Sequence, residues 1–141
     1  MYVLIVDDAK PKKEMLRMML EKIFHNEQIH LSWATNFIDA QNRFQNRDAY
    51  SIILLDGDLK DIRGNGVDLI PFIREKLWLA GATIIMTTYD ERLRTAANKA
   101  GVPLFITPQD CEDFVVYDKE LPNDIVQVFN KFKLEMSHSS H

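Results

Sequence analysis

Two short apolar runs, Val3-Leu4-Ile5-Val6 and Ile52-Ile53-Leu54-Leu55, carry no polar alternation, and each stops at acid: Asp7 and Asp8 after the first, Asp56 after the second. Unbroken aliphatic runs of this kind are the mark of strands buried on both faces, which occur mainly in parallel sheets covered by helices. Elsewhere the period changes. Met15, Leu16, Met19, Leu20 and Ile23 recur at helical spacing between Lys12 and Phe24, with Pro11 tolerable in the first turn. Ile29 to Ala34 alternates weakly and predicts a short strand, and Phe37 to Phe44 predicts a second helix. A polar, glycine-containing loop from Asp56 to Gly66 precedes Val67, Leu69, Ile70, Phe72, Ile73 and Leu77, which predict a third helix that Asp68 or Asn65 would cap. Gly81 comes before a fourth strand, Ala82 to Thr87, and Asp90 to Ala100 predicts a helix ended by Gly101. Leu104-Phe105-Ile106 predicts a fifth strand that stops at Thr107-Pro108, and a last helix is expected from about Pro122 to Leu134 on Ile125, Val126, Val128, Phe129 and Phe132.

Strands alternating with helices in this order imply an α/β fold, a doubly wound five-stranded parallel sheet with helices on both faces. The 141 residues suit one domain, expected over 1–135 with a disordered tail at 136–141. A formal net charge of -4 without a clustered basic face argues against direct nucleic-acid binding. The single Cys111 allows no internal disulfide, and the first residues lack a cleavable signal, so a cytoplasmic location is expected. No apolar run approaches the roughly 20 residues of a membrane helix.

Ligands of parallel α/β sheets bind at the carboxyl ends of the strands. Carboxylates converging there repel one another and are best tolerated around a hard cation such as Mg²⁺. A carboxylate can also attack phosphorus to give an acyl phosphate, a reaction that chiefly needs charge neutralised and groups held in line. Other chemistry is weakly signalled. His25 and His30 lack partners at metal-ligand spacing, Trp33 and Trp78 read as packing residues, and Gly64-Asn65-Gly66 lacks the Gly-Lys-Ser/Thr ending of a nucleotide loop.

With Asp7-Asp8 ending the first strand, Asp56 the third, Thr87 the fourth and a residue-Pro pair the fifth, residues 1–108 resemble a receiver domain of two-component response regulators. The resemblance implies that Asp56 accepts a phosphoryl group from a sensor histidine kinase or phosphotransfer protein. It implies Mg²⁺ held by Asp7, Asp8, Asp56 and the backbone carbonyl of Asp58, and a hydroxyl at Thr87 that turns toward the phosphoryl group. Thr107 stands where the family has a lysine that pairs with the acceptor and then with the phosphoryl group, and by analogy with that Lys-Pro pair Thr107-Pro108 is a candidate cis bond. Leu59 and Lys60 replace the usual Met-Pro, the loop glycine aligns with Gly66 after about two inserted residues, and Phe105 is offset from the aromatic switch position and reads as core. Residues 109–121 form an insertion, read as a surface loop, with Asp113 to Asp118 as a possible added strand or lid. The resemblance implies signalling through contacts with an unknown downstream protein, with homodimerisation or onward relay as options. Two alternatives stand beside it: a pseudo-receiver that binds partners without phosphorylation, and a phosphatase of the haloacid-dehalogenase type, because Leu55-Asp56-Gly57-Asp58 resembles that group's first motif.

Overall fold

A computed structural model of the protein describes residues 1–25 and 27–139. The strands β1 (Tyr2–Val6), β2 (His30–Ala34), β3 (Tyr50–Asp56), β4 (Thr83–Thr87) and β5 (Phe105–Ile106) are parallel and lie side by side in the order β2-β1-β3-β4-β5. The two unbroken aliphatic runs are thus the central strands, with a neighbour on either side. Their pleat sends alternate residues to opposite layers. Leu4, Val6, Ile53 and Leu55 pack with Phe37, Ala40, Phe44, Ile70 and Ile73, while Val3, Ile5, Ile52 and Leu54 pack with Leu16, Met19, Leu20, Phe24, Ile125 and Phe129. Both layers being apolar is why neither run needs polar alternation.

The second layer is made by α1 (Lys10–Ile23), α5 (Pro108–Tyr117) and α6 (Asn123–Ser139); α2 (Phe37–Gln45), α3 (Ile70–Arg74) and Ala97 of α4 (Glu91–Lys99) serve the first. No helix among the described residues is long and apolar enough to cross a membrane.

The structure departs from expectation in four places. The third helix is broken into a 3-10 turn at Gly66–Leu69, the short α3 and a second 3-10 turn at Leu77–Leu79, because Pro71 can only stand near a helix start; Leu77, expected on the buried face, is 89% exposed. Residues 109–121 are neither loop, strand nor lid in their first part. They fold as α5, which buries Cys111, packs the half-buried Phe114 and Val115 beside it at i+3 and i+4, and leaves Val116 and Tyr117 outside. Thr107 starts that helix: its hydroxyl accepts from the Asp110 backbone N–H at 3.0 Å and the Asp110 carboxylate accepts from the Thr107 N–H at 3.0 Å, with Pro108 in the first turn. The Thr107-Pro108 bond is trans, which removes the cis expectation. The tail expected to be disordered from 136 is helical through Ser139, and 140 and 141 lie outside the described residues. At the far end of α5, Asp118 turns left-handed (φ 58°), and Lys22 of α1 donates to Asp118 Oδ1 and to the Phe114 carbonyl, both at 2.5 Å.

Candidate functional site

Because β1 and β3 end side by side, Asp7 and Asp56 emerge next to each other at the carboxyl edge of the sheet, and Asp8 follows Asp7 into the same corner. Each of the three carboxylates offers an oxygen within 4.8 Å of the other two. Asp7 and Asp56 are 0% and 1% exposed. Their inner oxygens are used locally: Asp7 Oδ1 accepts from the Ala9 N–H at 2.9 Å and Asp56 Oδ1 accepts from the Asp58 N–H at 3.1 Å. The second oxygen of each, Oδ2, is buried without a hydrogen-bond partner. Two orphaned anionic oxygens beside a third carboxylate suit a divalent cation, since hard oxygen ligands and an unmet charge coincide there.

One cation already faces them. Lys12 on the first turn of α1 brings Nζ to 3.2 Å from Asp56 Oδ2 and 3.5 Å from Asp7 Oδ2, within ion-pair range though not in hydrogen-bonding geometry. Burial, followed by the charge of Asp7, pushes the Asp56 carboxyl up to about 7 against the pull of Lys12. Burial raises Asp7 as well. For Lys12 burial works against the charged form, but Asp56 and Asp7 together outweigh it and hold the ammonium above its ordinary range. Sequence reading missed this lysine as a site residue. The available signal was a helix start bearing Lys10, Lys12 and Lys13 with no acidic residue in its first turn, an arrangement the helix dipole disfavours.

The remaining expected residues are distributed around this corner. Thr87 lies level with Asp56 in the β3-β4 register, is 2% exposed, and its hydroxyl has no hydrogen-bond partner. It lines an apolar cavity of about 170 Å³ with Lys12, Met15, Tyr89, Pro108 and Cys111. A second cavity, of about 200 Å³, is lined by Asp8, Lys12, Asp56, Asp58, Lys60 and Thr88. Thr88, 6% exposed and unremarked in the sequence, is therefore the hydroxyl residue on the Asp8 and Asp58 side, where it also accepts from the Asp90 N–H at 3.0 Å. The exposed Asp58 carboxylate accepts from the Lys60 N–H at 3.0 Å. Thr107 is taken up in capping α5. Gly66 touches the site from below: its N–H donates to the Gly57 carbonyl at 3.1 Å, and a Cβ there would stand 1.7 Å from the Asp56 carbonyl oxygen.

No protein-family model matches the chain, and no curated protein matches it. Solved structures do. A signal receiver domain of a DNA-binding response regulator from Colwellia psychrerythraea 34H is 19% identical, with 95% of this chain and 98% of that one covered at a TM-score of 0.65. A Burkholderia pseudomallei response regulator with a phosphorylated aspartic acid and a calcium ion is 20% identical over 95% of this chain and 74% of its own, TM-score 0.63. The Mn²⁺-bound response regulator Rcp1 is 19% identical over 86% of this chain and 98% of its own, TM-score 0.62. The chain has the fold of response-regulator receiver domains.

Proposed function

We propose that the protein is a receiver that takes a phosphoryl group onto Asp56 from a histidine kinase or phosphotransfer protein and signals through protein contacts. The observation that carries this reading is the pair of buried, unpartnered oxygens on Asp7 and Asp56 beside Asp8, at the carboxyl edge of a receiver-fold sheet. Asp7, Asp8, Asp56 and the Asp58 carbonyl would hold Mg²⁺, whose chemistry is to neutralise these carboxylates and the transferring phosphoryl oxygens. The Asp56 carboxylate attacks phosphorus, the bond from phosphorus to the donor's leaving atom breaks with its electron pair, and no proton is required of Asp56. Thr87 or Thr88 donates a hydroxyl hydrogen bond to the phosphoryl oxygens, and Thr88 has the better claim because it lines the same cavity as Asp56. The fold similarities to a phosphorylated receiver and to Mn²⁺- and calcium-bound ones support this assignment.

A pseudo-receiver would not require two buried carboxylate oxygens to be left open, a costly arrangement in a mere binding module. The phosphatase reading needs Asp58 as acid/base, and of that exposed carboxylate Oδ1 is taken up by the Lys60 N–H at 3.0 Å. The test is intact mass after incubation with Mg²⁺ and acetyl phosphate. One added phosphoryl group on the native chain, absent from Asp56→Asn and from a metal-free control, is expected; a native chain left unmodified by acetyl phosphate and unresponsive to beryllofluoride sinks the proposal. Continuous release of phosphate from a generic phosphomonoester would instead favour the phosphatase.

A further inference from the structure

We infer that Lys12 is the phosphoryl-binding cation of this site, supplied from helix α1 in place of one at the end of β5; this rests on Asp56 being the acceptor. Three carboxylates outweigh one divalent cation, and turning Asp56 into an acyl phosphate adds further negative charge in the same buried corner. A second cation is therefore needed within reach of Asp56. Thr107, at the end of β5, brings none, and its hydroxyl and N–H are both engaged with Asp110. Lys12 is already 3.2 Å from the Asp56 oxygen that lacks a hydrogen bond. With Tyr89 it lines both cavities of this edge, the one with Asp56, Asp58 and Thr88 and the one with Thr87 and Pro108, and of the two it is the cation. Its side chain is 34% exposed, so the ammonium can shift the short distance from a carboxylate oxygen to a phosphoryl oxygen on the same atom chain without unpacking α1. Its placement in a first turn without acidic residues opposes the helix dipole, which leaves the carboxylates as what favours the ammonium there.

The same location makes Lys12 a competitor of the metal in the unmodified protein, because its ammonium rests against the two orphaned oxygens. Two readouts thus move in opposite directions. For Lys12→Met, beryllofluoride binding in the presence of Mg²⁺, followed by fluorine NMR, should weaken roughly tenfold or more, the size of losing a hydrogen bond to a charged group. Mg²⁺ binding to the unmodified variant, by calorimetry, should be unchanged or tighter. Lys12→Arg should retain more beryllofluoride affinity than Lys12→Met. Undiminished beryllofluoride binding by Lys12→Met overturns the inference, as does loss of both beryllofluoride and Mg²⁺, which would mark a structural role, and as does a loss that follows Lys60→Met instead. If the native chain itself takes no beryllofluoride, the receiver assignment falls and this inference with it; native binding with an indifferent Lys12 sinks the inference alone.

Discussion

Burial, with the charge of Asp7 behind it, raises the Asp56 carboxyl to about 7 in the folded protein, whereas in an unfolded chain it titrates near the ordinary 3.8. Between those values the unfolded chain binds fewer protons than the folded one, so folding stability falls as pH rises. Metal-free protein should lose up to about 1.4 kcal/mol of stability per pH unit across this window, and Asp56→Asn should flatten the profile. Urea titrations at several pH values in the presence of a chelator check this, and a native profile that rises over the same window would contradict it. The acidic residues were legible because each terminates a run whose apolarity betrays a central strand. Lys12 was not, because only the winding of α1 carries it back over Asp7 and Asp56. Thr88 was hidden by its neighbour: Thr87 ends β4 and Thr88 follows it, and which one faces Asp58 depends on how the chain leaves the sheet.

At the level of single elements, Thr107 is a helix cap. Thr107→Ala should cost about 1 kcal/mol in urea denaturation, as loss of an N-cap does, while leaving beryllofluoride binding close to native. A large loss of binding would show that Thr107 serves the reaction as well. Gly66 is fixed by close approach: Gly66→Ala forces a methyl against the Asp56 carbonyl, so it should destabilise the fold by about 1–3 kcal/mol or more and weaken Mg²⁺ binding at once. The Thr107-Pro-x-Asp110 signature that starts α5 was present in the sequence, but the adjacent apolar triplet Phe114-Val115-Val116 masked it by suggesting a strand. The third helix was overcalled for the opposite reason, since helical spacing continued through Pro71 while the backbone hydrogen bonds did not.

Across the whole molecule, α6 belongs to the core of the domain. Phe129 is 2% exposed and meets Phe24 of the α1 end edge-on, with ring centroids 5.7 Å apart. Phe129→Ala should cost about 3–5 kcal/mol and show it as a lowered urea midpoint; a change below about 1 kcal/mol would mean that α6 is a dispensable appendage. The α1–α5 seam has a property that neither helix has alone. Lys12 at one end of α1 holds the carboxylate corner, and Lys22 at the other holds the close of α5. Ten residues of helix span about 15 Å, and a helix of that length is stiff. Leu16, Met19, Leu20 and Ile23 bury that rod against the sheet along its length, so one rigid helix sets a fixed separation between the carboxylate corner and the close of α5.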